Sequence, residues 1–150
     1  QVPVSVIAAQ DLLSEAERER VLQAIHKAEE RTSGEVRVHL DDTITDNVLD
    51  HAAFVFEELG MFRTRDRNGV LIYVSLADRQ AAVIGDAGIN ARVPEGFWDD
   101  VLALLREDFS HGRFADGLCK AIGQVGEKLH TLFPYQRDDR NELPNDISFG

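Results

Sequence analysis

Along the chain, apolar positions recur first at a helical period, then in strict alternation, then at a helical period again. Val21, Leu22, Ile25 and Ala28 repeat at helical intervals after Ser14, which stands three residues before Glu17 in capping-box spacing. The pattern breaks at Thr32-Ser33-Gly34, so the spacing predicts a helix over residues 15–31. Residues 35–40 alternate: Val36, Val38 and Leu40 share one face of a strand, and Glu35, Arg37 and His39 share the other. Such a strand is half-covered or near an edge. A second amphipathic stretch carries Val48, Leu49, Ala52, Val55, Phe56 and Leu59 on one face and stops at Gly60, as a crossover helix would. Residues 70–76 are almost wholly apolar, the mark of a central strand covered on both faces, and residues 81–84 return after a four-residue turn to form a hairpin. Two more helices are predicted, over 97–109 after Pro94 and over 114–133 before Pro134.

This order predicts an α/β protein, an α/β/α sandwich with a small mixed sheet flanked by helices. Residues 1–134 read as one domain. Residues 135–150, with Arg137-Asp138-Asp139-Arg140 and Pro144, lack periodicity and read as an irregular C-terminal tail over the surface or disordered. A strand, helix, strand unit is almost always a parallel crossover, and the hairpin then returns antiparallel. Three loops should therefore meet on one rim of the sheet: Thr32 to Glu35, Arg65 to Gly69, and Gly85 to Gly88.

Charge narrows the function. The 150 residues carry 27 acidic against 16 basic side chains, a formal net charge of -11. Such a field repels nucleic acid and anionic lipid and attracts divalent cations. No apolar run approaches the roughly 20 residues of a membrane-spanning helix, and no basic-then-apolar leader opens the sequence. The expectation is a soluble, cytoplasmic protein, or one of the cell envelope if a leader was removed ahead of Gln1. The single cysteine, Cys119, sits at an apolar-periodic position and reads as a buried structural thiol.

The shared rim holds the candidate chemistry. Asp66, Asn68 and Asp86, with Glu35 behind them, offer the oxygens a hard divalent cation needs, and the neighbouring glycines let backbone approach closely. The same residues also suit plainer roles: Asp66 and Asn68 in a turn, Asp86 capping a helical turn, Glu35 paired with Arg65. The spacing alone leaves both open. At the other end of the first strand, Asp41, Asp42 and Asp46 read as a solvated turn with a helix cap. His26, His39 and His51 show no metal-ligand spacing and read as solvated surface histidines, and Trp98 reads as packing. There is no phosphate-cradling loop and no nucleophile elbow, and Ser33 has no base nearby in sequence.

The blocks "TSGEVRVHL", "RDRNGVLIYVSLADRQAAVIGDAGI" and "FSHGRFADGLCKAIGQVGEKL" resemble, in order, the signature blocks of the TPM-domain family. That family includes thylakoid-lumen proteins of photosystem repair and an auxiliary subunit of a nematode acetylcholine receptor. The tail resembles a soluble bacterial branch of standalone TPM proteins. The resemblance implies an α/β/α sandwich, calcium or another divalent cation such as magnesium at the rim, and, from plant members, an acid phosphatase activity. The aromatic usual between the family's two glycines is replaced by Asp86-Ala87. Two functions compete on the same site: a cation-binding module with a structural or protein-partner role, and a weak metal-dependent phosphatase. A third is an interaction domain in which the acids only confer solubility. The sequence does not name the metal, the partner, the substrate or the oligomeric state.

Overall fold

The computed structural model describes residues 11–135 and 147–149. Helix α1 (Glu15–Glu29) opens on the capping box, with the Ser14 hydroxyl accepting from the Glu17 amide and the Glu17 side chain accepting from Ser14. Strand β1 (Glu35–Asp41) follows, then α2 (Val48–Glu58), whose first amides are capped by Asn47. A single 3₁₀ turn, Met61–Arg63, leads to β2 (Gly69–Ser75), and the hairpin continues into β3 (Gln80–Gly85). A one-turn helix, α3 (Ala87–Asn90), precedes α4 (Phe97–Phe109) and the long α5 (Phe114–Leu132).

The expected directions hold. β1 pairs parallel to β2 with Glu35 opposite Gly69 and Asp41 opposite Ser75, and β3 pairs antiparallel to β2 with Gly85 opposite Val70. β2 is buried along its whole length because its two faces serve two cores. Val70, Ile72 and Val74 join Val36, Val38 and Leu40 against α1, α4 and α5, while Leu71 and Tyr73 meet Ala52, Val55 and Phe56 of α2. Helices thus flank both faces of a mixed sheet. Truncating a fully buried side chain such as Ile72 should cost about 2–5 kcal/mol, since both its packing and its transfer from water are lost. No described helix is long and apolar enough to cross a membrane.

One element was not expected. Within the tail, Ile147–Phe149 forms a fourth strand, β4, parallel to β1, giving the sheet order β3-β2-β1-β4. Ile147 is only 4% exposed, Arg37 Nε donates to Ser148 Oγ at 2.8 Å, and the Arg18 guanidinium lies 5.1 Å over the Phe149 ring. Three residues are too few to show a period, which is why the segment reads as irregular. The charged stretch Arg137-Asp138-Asp139-Arg140 and Pro144 lie outside the described residues.

Candidate functional site

The rim is built from backbone first. Arg67 takes a left-handed conformation at φ 50°, unusual for a side chain of its size, so that its carbonyl accepts from the amides of Gly88 at 2.7 Å and Ile89 at 3.3 Å. Gly88 must be glycine here: a Cβ would stand 1.9 Å from the Asp66 carbonyl oxygen and 2.7 Å from that of Arg67. Gly85 has a similar reason, because the half-buried Trp98 ring lies across it and a Cβ would come within 2.3 Å. The Asp86 amide donates to the Gly69 carbonyl at 2.9 Å, and the Asn68 amide to Thr64 Oγ1 at 3.1 Å. The "Gly-Asp-Ala-Gly" turn is therefore a lock between two loops.

Onto this frame the candidate side chains converge unequally. Ser33 Oγ donates to Asp66 Oδ2 at 3.3 Å and accepts from Asn68 Nδ2 at 3.1 Å, so Ser33, Asp66 and Asn68 form one cluster across two loops. Asn68 is 1% exposed and its Oδ1 has no hydrogen-bond partner. Asp66 is also approached by Arg65 Nη2 at 3.2 Å. Asp86 turns elsewhere: Arg67 grips both its oxygens, at 2.6 and 2.8 Å, and Asp86 Oδ1 accepts from the Ala87 amide at 2.7 Å as the cap of α3. Glu35, at 2% exposure, lies at the start of β1 opposite Gly69. Among the described residues no group of three or more His, Cys, Asp or Glu side chains is arranged to hold a metal ion.

A second polar cluster, at the opposite end of β1, overturns the reading of solvated histidines. Asp41 is 7% exposed and accepts from the Tyr73 hydroxyl at 2.6 Å. His39 Nε2 lies 3.0 Å from Asp41 Oδ1, and His51 bridges Asp41 at 3.3 Å and Asp46 at 2.9 Å. His39 stacks on Tyr73 with ring centres 5.8 Å apart. Burial pushes the His39 imidazole below its ordinary range, against the pull of Asp41, and pushes the Tyr73 phenol upward, reinforced by the Asp41 carboxylate. The signal was present: His39 and Asp41 share a strand face, Tyr73 is paired with His39, and the helix crossing that face brings His51. Asp41 belongs to the strand rather than the turn. His26 is exposed, as expected, and Cys119 is half-buried rather than buried, its thiol pushed up by desolvation.

Comparison with family models matches the TPM domain over residues 6–128. The chain belongs to the TPM-domain family. Among solved structures, this TPM domain is similar to the BA42 protein of the psychrophilic bacterium Bizionia argentinensis, at 43% identity and TM-score 0.86, covering 92% of this chain and 95% of that one. An N-terminal domain from P. gingivalis matches at 22% identity and TM-score 0.68, covering 84% and 83% of the two chains. The N-terminal domain of the cg2496 protein of Corynebacterium glutamicum matches at 13% identity and TM-score 0.62, over 78% and 74%. These last two show the fold alone. No curated protein matches.

The rim of this TPM domain fits an oxygen-ligated cation in the kind of donor it offers. A buried amide oxygen without a partner is costly, and a cation beside Asp66 would satisfy it. Asp66, Asn68 and Ser33 are the residues that would hold such an ion, with water completing the shell. Asp86 could join them only by parting from Arg67.

Proposed function

We propose that this TPM domain binds a divalent cation at the Ser33, Asp66, Asn68 cluster, with Asp86 and Glu35 as its outer acids, and acts as a non-catalytic module with a structural or partner-binding role. The observation that carries this reading is the orphaned Oδ1 of Asn68, a residue 1% exposed and linked to the Asp66 carboxylate through the Ser33 hydroxyl. Calcium suits the rim better than magnesium. Magnesium demands a near-ideal octahedron of short bonds, whereas calcium accepts an irregular set of carboxylate, amide, hydroxyl and water oxygens. The ion would join the loop before β1 to the loop before β2, which is how it would stiffen a surface offered to a protein partner.

The test is thermal unfolding with calcium, with magnesium and with chelator. A ligand that binds only the folded state stabilises it by about 2.7 kcal/mol at a hundred times its dissociation constant. Calcium should raise the melting temperature of the natural chain and leave Asp66→Asn unchanged. Superimposable curves at millimolar calcium and in chelator would overturn the reading.

The phosphatase alternative draws on one contact, the Ser33 hydroxyl donating to Asp66. A carboxylate is a weak base for a serine hydroxyl, and if Asp66 is a metal ligand it cannot also take that proton. The neighbouring Thr32 hydroxyl is committed to the Leu129 and Phe133 carbonyls. Metal-dependent turnover of an aryl phosphate that is lost in Asp66→Asn would favour the enzyme over the module.

A further inference from the structure

A groove opens at the end of the sheet away from the rim, between the β2–β3 turn and the α4–α5 turn, with a volume of about 1100 Å³. That is room for a small organic molecule. Its floor is apolar: Leu76 and Leu105 are buried, and the half-buried rings of Phe109 and Phe114 meet edge to face with centres 5.0 Å apart. Its mouth is basic. Arg79 and Arg106 both line it and are exposed, and neither has an ion-pair or hydrogen-bond partner for its guanidinium among the described residues.

That is unexpected in a chain of net charge -11, where each exposed arginine has many carboxylates to choose from. Glu107 follows Arg106 directly on α4, where adjacent side chains do not face each other, and the next acids, Asp78 and Asp108, are already engaged. Asp78 accepts from Ser75 Oγ at 2.7 Å, the Ile44 amide at 2.8 Å and Thr43 Oγ1 at 3.0 Å, which hold it below the usual carboxylate range. Asp108 is held by Arg113 and Lys120, at 2.8 and 2.9 Å. Arg79 also takes the left-handed conformation, at φ 52°, in a turn where glycine or asparagine would fit without strain. A costly backbone at a pocket mouth, carrying an unspent guanidinium, is what an anion-binding position looks like.

We propose that this groove binds a small carboxylate amphiphile, the carboxylate held between Arg79 and Arg106 and the hydrocarbon laid on Leu76, Leu105, Phe109 and Phe114. Charge selects the head group. Guanidinium pairs with carboxylate through two parallel hydrogen bonds, and the surrounding negative field discourages anions everywhere else on the surface. The apolar floor selects for a tail, since burying it removes hydrocarbon from water.

The probe is decanoate, kept below its micelle concentration and titrated into the uniformly labelled protein while amide resonances are followed. Saturable shifts are expected at residues 76–81 and 105–114. Decanol, which keeps the tail without the charge, and decyltrimethylammonium, which reverses it, should each bind at least about tenfold more weakly. The Arg79→Gln/Arg106→Gln double variant should lose at least about tenfold in affinity. Arg79→Gly removes the charge while relieving the backbone, so it folds at least as well and should still bind more weakly. Absence of saturable shifts with decanoate would overturn the proposal. So would shifts centred on another surface, equal binding of decanol, or undiminished affinity in Arg79→Gly.

Discussion

Replacing Gly88 by alanine should be among the most damaging single-methyl changes in the protein. The added Cβ would lie 1.9 Å from the Asp66 carbonyl oxygen and 2.7 Å from that of Arg67, and both obstacles are backbone, which cannot swing aside. Relief requires the two loops to separate by more than an ångström. That breaks the Gly88 and Ile89 amide bonds to the Arg67 carbonyl, now 2.7 and 3.3 Å. Each of the two lost bonds costs about 0.5–1.5 kcal/mol, and overpacking adds about 1–3 kcal/mol, for a total of roughly 2–6 kcal/mol. In a domain of this size one kcal/mol moves the melting temperature by about 2–4 °C, so a fall of roughly 4–24 °C is expected by circular dichroism. Gly123 is the control. It is exposed on α5, and nothing lies within 4 Å of the Cβ it would gain, so Gly123→Ala should stabilise by about 0.5–1 kcal/mol through helix propensity alone. If Gly88→Ala melts within a degree or two of the natural chain, the two loops are not locked as described.

Three further outcomes are expected. Because burial holds His39 below its ordinary value near 6.5, the unfolded chain takes up a proton that the folded one refuses. Stability from this group is complete above that value and declines as pH falls toward the folded pKa; urea titrations between about pH 5 and 7 should show a shallower slope in His39→Gln. Asp86→Ala removes the cap of α3 and leaves Arg67 without its carboxylate, and should cost about 1–2 kcal/mol in chemical denaturation. Ending the chain before Ile147 strips β4 from β1 and uncovers a strand edge, so the shortened protein should melt lower and associate more readily, by calorimetry and light scattering.

Much of the fold was legible because its long elements carry unambiguous periods. The capping box at Ser14, the alternation of residues 35–40 and the unbroken apolar run of β2 each admit one reading, and a single long crossover between β1 and β2 fixes their relative direction. From that direction followed the expectation that the loops bearing Glu35, Asp66, Asn68 and Asp86 meet on one rim; the part of Ser33 in the cluster came from the structure. What the sequence could not give was the choice among partners. Asp86 has the same spacing whether it faces a cation or Arg67, and in the structure the Arg67 guanidinium takes both its oxygens. The Asp41 cluster was missed for a different reason. Two aspartates before a threonine look like a turn, yet the strand runs one residue further, and the polar face of β1 is buried at its end, with His39 and Asp41 both covered. There Tyr73, His39 and His51 supply hydrogen bonds to a carboxylate that would otherwise be costly to bury. β4 is too short to announce itself.

We propose that the rim around Asn68 takes a divalent cation. It is tested most directly by titrating calcium into the labelled protein while following the side-chain amide of Asn68 and the backbone amides of Ser33, Asp66 and Asn68. Saturable shifts at these positions are expected, weaker or absent with magnesium and abolished in Asp66→Asn, while the Asp41 end of the sheet stays still. Shifts scattered over the acidic surface without saturation, or an Asn68 side-chain amide that does not move at millimolar calcium, would contradict it.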